Sequence, residues 1–219
     1  HFRGVTESKF RLMPNAAPPV PPETGAISLG LRERFRGKFI VNGIAHYNPH
    51  RNLEVMLAAM ARLREMGRDD IALVVAAGAD DHPPGSRRFV ERVNATGLDT
   101  IHNLGYRLSL AETYAALGEC DVTVYPSLCE SFSAAYLMAM ECGVPLIAAG
   151  LDFARTICGD AALYFRYDRP DDLAARLIEL ADNLPARTAL IERGRERAKL
   201  YTWEKMLAGF LDAIAAAES

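Results

Sequence analysis

From Lys38 onward, short and continuously apolar runs alternate with stretches of helical spacing. A run that is apolar at every position predicts a strand covered on both faces, because a half-exposed strand alternates apolar and polar residues. Strands of this kind that alternate with helices predict an α/β fold with a doubly wound, Rossmann-like parallel sheet. The predicted strands cover 39–44, 71–76, 122–125 and 144–148, and the predicted helices cover 53–66, 85–95, 110–117, 133–142 and 171–183.

Three segments of the chain differ in composition. Residues 1–26 are rich in proline, which favours extended backbone, and we expect them to be the remnant of an interdomain linker. Residues 27–184 are expected to form the Rossmann-like domain. Residues 185–219 are helical in spacing and are expected to form C-terminal helices. The basic cluster at 193–199 is interleaved with glutamates, which indicates a solvated helix face rather than a site for an anionic partner.

Charge and cysteine content exclude several classes of protein. The chain has 219 residues and a net charge of −3, without the basic excess of a nucleic-acid-binding protein. Its four cysteines form no CxxC pair, which argues against a disulfide framework or a zinc site and favours reduced thiols in the cytoplasm. No apolar run approaches the ~20 residues that span a bilayer. We therefore expect a cytoplasmic protein with neither a nucleic-acid partner nor a transmembrane segment.

The segment 125–133, "YPSLCESFS", connects a predicted strand to a predicted helix. Ligands of doubly wound sheets bind at the carboxyl ends of the strands, and the N–H groups that begin a helix favour phosphate. Ser131 and Ser133 can cap the helix or donate to phosphate oxygens, and Glu130 can accept hydrogen bonds from sugar hydroxyls. The alternative is that Glu130 only complements the helix dipole and the serines only cap the helix.

The longer stretch 126–149 resembles the nucleotide-sugar-binding motif of a large family of retaining glycosyltransferases with the GT-B fold, called group 1 or family 4. The resemblance implies that Glu130 lies at the donor sugar as a catalytic residue, and that the diphosphate lies at the helix start formed by Ser131, Phe132, Ser133 and Ala134. The motif is matched, in order, by Pro126, Ser127, Glu130, Phe132, Ala139, Met140, Gly143 and Pro145.

Two further segments and the last helix extend the resemblance over nearly the whole chain. The segment 39–63 is similar to the first strand of the family, with Gly43 after it and Arg51-Asn52 at the position of a phosphate-binding basic residue followed by Asn. The segment 101–127 is similar to the strand and loop near the nucleotide base, which implies base contacts at Gly105, Tyr106 and Arg107. The last helix resembles one that packs back toward the partner domain.

The chain departs from the family pattern at two positions. Met138 stands eight residues after Glu130, where the family has a second Glu that binds the ribose hydroxyls. A methionine is a weak acceptor, so either ribose binding is weakened or Glu141, one turn further on, is a displaced ribose acceptor. An ordinary solvated or ion-paired Glu141 is the alternative. Ile44 stands where many members have Arg, which leaves Arg51 as the expected cation at the diphosphate.

The resemblance implies the donor-binding, C-terminal half of a retaining glycosyltransferase. Such a domain binds a UDP- or GDP-sugar without a metal or other cofactor, and the other half holds a glycan or lipid-linked acceptor in cell-envelope or polysaccharide biosynthesis. This half alone is not expected to turn over, and the inner face of the membrane is one expected location, through peripheral association. Two alternatives stay open: a degenerate GT-B-like binding or scaffold domain, and a different GT-B-like enzyme such as a phosphorylase or epimerase.

Overall fold

The computed structural model describes residues 15–79 and 85–217, and the residues outside these ranges include most of the predicted linker. Six parallel strands form one sheet in the order β3-β2-β1-β4-β5-β6. This order confirms the predicted doubly wound sheet, and its direction reverses between β1 and β4. The strands are β1 (Phe39–Asn42), β2 (Ile71–Val75), β3 (Ile101–Asn103), β4 (Val122–Tyr125), β5 (Leu146–Ala149) and β6 (Leu163–Phe165).

The helices cover both faces of the sheet and agree with most of the predicted segments. They are α1 (Leu31–Arg34), α2 (Glu54–Glu65), α3 (Ser86–Ala95), α4 (Leu110–Gly118), α5 (Ala134–Glu141), α6 (Asp152–Cys158), α7 (Pro170–Asp182), α8 (Leu184–Ala198) and α9 (Trp203–Ala217). The sequence pattern missed α1, β3, α6 and β6, although the family resemblance implied a strand at β3. All four are short, and two of the three residues of β3 and of β6 are partly exposed at the sheet edges, so none carries a long apolar period.

Alternate residues of the strands pack against different helical layers. Leu73 and Val124 belong to a core shared with α2, α3 and α7, whereas Val74 packs with α1 and α4. Ala148 packs with α5 and α6 on that second face. Strands covered on both faces are continuously apolar, which is why the sequence pattern located them.

The two C-terminal helices differ in their environment. Helix α8 packs against α5 and α7 and contributes Leu190 and Ala198 to the core. Helix α9 keeps large apolar side chains exposed, although the Trp203 indole donates a hydrogen bond to the Ala17 carbonyl at 2.8 Å. Packing of α9 against a partner domain and the predicted domain boundaries stay predictions. Over the described ranges, no helix has both the length and the apolar character needed to cross a membrane.

Candidate functional site: a cleft at the switch point

A cleft of about 200 Å³ lies at the carboxyl edge of the sheet. One wall follows β1 and another is the end of β4, so the cleft lies where the strand order reverses, which is the usual ligand position in open α/β sheets. The cleft is smaller than the 300–1,000 Å³ of a complete small-molecule pocket. It therefore accommodates part of a nucleotide-sized ligand. Its lining residues are Ile44, Ala45, His46, Arg51, Ala76, Arg107, Leu108, Thr113, Tyr125, Ala135 and Met138.

The loop after β1 brings Arg51 into the cleft through a short ordered turn. Pro49–Arg51 form a 3-10 turn capped by the side chain of Asn48. Asn52 follows in the left-handed region with φ of 53°, and its amide donates to the Tyr167 carbonyl at 2.9 Å. Asparagine tolerates this conformation better than most residues. The 3-10 turn and the hydrogen bond of the Asn52 side chain together fix the backbone at Arg51. They therefore fix the point from which the Arg51 side chain extends into the cleft.

Arg51, which lines the cleft, forms an ion pair with Glu130, which lies outside the lining. The Nη1 atom of Arg51 donates to Glu130 Oε1 and, at 3.4 Å, to the hydroxyl of buried Ser127. The side chains are 26% and 10% exposed, so water screens this pair less than a surface pair. Within the described part of the chain, all the side-chain hydrogen bonds of Arg51 use Nη1. The other N–H donors of the fork face no protein acceptor there.

Helix α5 begins beside this ion pair without a side-chain cap. Ser133 occupies the N-cap position with φ of 57°, and its hydroxyl accepts no hydrogen bond from the helix. The first N–H groups of a helix carry partial positive charge and need an acceptor from outside the helix. Ser133 and Asn52 are the non-glycine residues with positive φ among the described positions. Backbone strain of this kind concentrates at functional sites, and here both examples flank Arg51 and Glu130.

The inner wall of the cleft is apolar. Met138, which is 6% exposed, lines the cleft with Ile44 and Ala135. Tyr125 forms the floor at the end of β4, and burial raises the pKa of Tyr125 to about 12. Its phenol is therefore neutral at physiological pH and does not act as a base. This wall can contact the apolar faces of a ligand and offers few acceptors.

The loop after β3 forms the third side of the cleft. Gly105 has φ of 80°, where glycine is favoured, and the chain turns there toward Tyr106 and Arg107. The Tyr106 hydroxyl donates to Glu112 at 3.0 Å, which holds the ring at the start of α4. Arg107 lines the cleft itself. Of the three predicted base contacts, the structure thus places Arg107 in the cleft with Arg51 and Met138, and the roles of all three stay predictions.

Several predicted site residues lie elsewhere. Gly43 faces the core, since an added Cβ would come within 2.9 Å of Met56 and Leu73. The Phe132 ring packs edge-on against Tyr201 at 5.6 Å rather than lining the cleft. Glu141 is exposed and is not among the residues that line the cleft.

The remaining predicted residues surround the start of α5. Ser131 is exposed and Ala134 is the first residue of the helix, so both lie where a ligand at this end could reach them. Sequence reasoning did not assign Tyr125 to the site, and it matched Ser127 to the motif without giving it a contact. Their positions at and just after the last residue of β4, beside the switch point, are the signal that could have found them. Among the described residues, no group of three potential metal ligands comes together, and metal-independent binding stays a prediction.

A larger cavity of about 660 Å³ lies beside α8, away from the carboxyl edge of the sheet. The basic cluster was predicted to be a solvated helix face, and Arg193, Arg195 and Lys199 are exposed, but two of its arginines also bind the backbone. Arg193 Nε donates to the Asp160 carbonyl at 2.8 Å, and Arg197 donates to the carbonyls of Ile157 and Thr156 at 2.7 and 2.6 Å. These arginines bind the carbonyls at the end of α6, which carry partial negative charge. They are structural, and the smaller cleft is the better ligand site.

The sheet order and the cleft together define a Rossmann-like domain with a cleft at its switch point. The sequence profile of the family described as "Glycosyl transferases group 1" matches residues 38–183. The chain therefore belongs to the group 1 glycosyltransferases, which confirms the family resemblance found in the sequence.

Relatives and solved structures agree with this family. The chain is 30% identical over 210 residues to a D-inositol 3-phosphate glycosyltransferase of Xylanimonas cellulosilytica, covering 91% of this chain and 48% of that protein. It is 28% identical over 163 residues to the O-antigen chain mannosyltransferase B of Escherichia coli, covering 74% and 42%. HepE of Anabaena, solved with UDP and glucose, shares the fold with a TM-score of 0.73 at 15% identity, covering 90% of this chain and 53% of that one. The chain thus spans about half the length of the proteins it resembles.

Proposed function

We propose that this chain is the donor-binding half of a retaining glycosyltransferase. It binds a nucleoside-diphosphate sugar and presents the sugar to a glycan or lipid-linked acceptor held by a second domain. The observation that carries the proposal is the Arg51–Glu130 pair beside the uncapped start of α5, at the switch point of the sheet. Arg51 and the start of α5 both favour an anion at this place, and the Glu130 carboxylate beside them can bind hydroxyls.

The charges of the ligand match this arrangement. A diphosphate offers several oxygens, so it can accept hydrogen bonds from two nitrogens of Arg51 at once. Glu130 accepts from only one of them, Nη1. Exchange of partners would release Glu130 to accept hydrogen bonds from sugar hydroxyls. When the bond between the sugar and the diphosphate breaks, negative charge develops on the departing diphosphate. Arg51 and the helix dipole would stabilise that charge, which lowers the barrier to transfer.

The names of the relatives support the type of substrate. HepE is described in complex with UDP and glucose, which supports a uridine or similar diphosphate sugar as the donor. Two relatives are named for an O-antigen chain and for phosphatidyl-myo-inositol, which supports a glycan or lipid-linked acceptor and a role in building the cell envelope. The donor would be a UDP- or GDP-sugar, bound without a metal, and the enzyme would work in the cytoplasm at the inner face of the membrane.

A second candidate is a binding domain that has lost turnover. The observation that favours it is Met138, an apolar residue in the wall of the cleft. Such a domain would retain the diphosphate contacts and bind the nucleotide, but the protein that carries it would transfer no sugar to any acceptor.

Calorimetric titration with a graded series of ligands tests the proposal. The series consists of the nucleoside, monophosphate, diphosphate and diphosphate sugar of uridine, guanosine and adenosine. We expect one base to give measurable binding, with the diphosphate at least tenfold tighter than the monophosphate. The diphosphate sugar should make additional hydrogen bonds, from its sugar hydroxyls to Glu130. No binding by any diphosphate, or equal binding of monophosphate and diphosphate, would contradict the proposal.

A further inference from the structure

Met138 occupies the part of the cleft that lies just beyond the expected diphosphate position. It is four residues after Ala134, which begins α5, so it lies about 6 Å further along the helix axis. That distance is comparable to the separation between a diphosphate and the ribose attached to it. A nucleoside diphosphate that is held at the helix start, with its base toward the loop after β3, therefore places its ribose against Met138.

The surroundings of Met138 offer a ribose hydroxyl no charged acceptor. Of the described residues that line the cleft, none is a carboxylate. The polar ones are His46, Arg51, Arg107, Thr113 and Tyr125, none of which carries a negative charge, and the Thr113 hydroxyl already donates to the Ser109 carbonyl at 2.8 Å. Nucleotide-binding folds commonly read the ribose 2′-hydroxyl with an acidic side chain. This wall instead presents Met138, Ile44 and Ala135.

An apolar wall changes which sugar is favoured. A ribose 2′-hydroxyl that is pressed against methyl and thioether groups loses water without gaining a protein partner, and that desolvation is unfavourable. A 2′-deoxyribose presents a CH₂ group at the same place, which gains from contact with an apolar wall. The advantage that a carboxylate gives to ribose, roughly tenfold or more for one charge-assisted hydrogen bond, is absent here.

We propose that this site accepts 2′-deoxyribonucleoside diphosphates and their sugars about as well as the ribose forms, and that Met138 determines this specificity. The proposal rests on the proposed function, since it requires a nucleoside diphosphate in the cleft. It widens the donor class from UDP- and GDP-sugars to deoxynucleoside-diphosphate sugars. Met138 is a binding residue in this account and takes no part in the chemical step.

Matched pairs of ligands test the proposal directly. The purified protein is titrated with UDP and 2′-deoxy-UDP, GDP and 2′-deoxy-GDP, and ADP and 2′-deoxy-ADP. We expect the two members of the binding pair to differ by less than about threefold in Kd. A ribose form that binds tenfold tighter or more would overturn this inference and leave the proposed function in place. If neither member of any pair binds, the proposed function fails and this inference fails with it.

Substitutions at Met138 separate its role from that of the rest of the cleft. Met138→Glu and Met138→Gln introduce an acceptor, and Met138→Leu is the apolar control of similar size. We expect the preference for ribose to rise to tenfold or more with Glu and to a smaller degree with Gln, while Leu keeps the ratio of the unsubstituted protein. The Gln variant covers the case in which a buried carboxylate prevents folding. An unchanged ratio in a folded Glu or Gln variant, checked by its melting temperature, would overturn the proposal.

Discussion

Two regions of this chain gather arginines at helix ends, and their surroundings differ. At α8, Arg193 and Arg197 donate to backbone carbonyls at the end of α6, where the helix dipole is negative. At the cleft, Arg51 lies beside the start of α5, where the dipole is positive, and its partner is the single carboxylate of Glu130. A cation beside the positive end of a helix is repelled by it, and the arrangement is stable only when an anion lies next to both.

The difference shows why the larger cavity is not the better site. Arg193 and Arg197 already have acceptors that belong to the protein, so an anion that took over these donors would have to displace backbone hydrogen bonds. The cleft leaves the helix start without a side-chain cap and pairs Arg51 with a residue that can exchange partners. Whether an arginine can bind a ligand therefore depends on what its fork already binds, more than on how many arginines lie nearby.

The largest effect that follows from this comparison is at Arg51. Arg51→Ala removes the bidentate contact with the diphosphate and leaves the charge of Glu130 to repel it. We expect the Kd of the nucleoside diphosphate to rise about a hundredfold, which corresponds to about 3 kcal/mol. Calorimetry measures the change.

Arg193→Ala is the matched control for Arg51→Ala, because it removes an arginine of the α8 cluster. It should leave nucleotide affinity within about twofold. If both variants lost affinity equally, a general loss of positive charge would explain the result, and the distinction between the two regions would be wrong.

The α8 cluster should respond in stability instead of affinity. Arg197→Ala removes two charge-assisted bonds to the carbonyls of Ile157 and Thr156 and the contact of the guanidinium with the Tyr201 ring. In the variant, water can form hydrogen bonds to the two carbonyls in place of the arginine. We therefore expect the free energy of unfolding to fall by only about 2 kcal/mol. Urea denaturation measures it. An unchanged denaturation midpoint together with weaker nucleotide binding would place the ligand at α8.

Glu130 should oppose nucleotide binding in the absence of the sugar. Glu130→Gln leaves the side chain nearly unchanged in shape but removes the charge that holds Arg51. We expect the bare nucleoside diphosphate to bind about three- to tenfold more tightly, which corresponds to about 1 kcal/mol. The diphosphate sugar should gain less, because it loses its bonds to the carboxylate. Weaker binding of the bare diphosphate would show that Glu130 supports the nucleotide itself.

The sequence alone predicted the sheet and the helix start of the site, for physical reasons. Strands buried on both faces are continuously apolar, so β1, β2 and β4 were recognisable, and the Pro126–Ser133 segment follows β4 directly. Short and partly exposed elements such as α6 and β6 lack a long period and were missed. The place of Glu130 just after a predicted strand already made it a candidate, whereas only the resemblance to the family supplied Arg51 as a site residue.

The pairing of side chains was beyond the sequence. Arg51 and Glu130 are 79 positions apart, and their contact depends on the reversal of strand order between β1 and β4. The structural role of the α8 arginines depends on the packing of α8 beside the end of α6, which the alternation of Arg and Glu does not reveal. The same residue type thus had two roles that only the folded chain distinguishes.

The smallest expected effect is a change in the free energy of unfolding, and it differs between the starts of α4 and α5. Ser109 caps α4 in a capping box with Glu112, whereas Ser133 makes no cap bond to α5. Ser109→Ala should therefore lower the free energy of unfolding by about 1 kcal/mol, and Ser133→Ala should change it by less than about 0.5 kcal/mol. Thermal or urea denaturation without ligand measures both. A comparable loss at Ser133 would mean that the protein itself satisfies the start of α5, which would remove the reason to expect a diphosphate there.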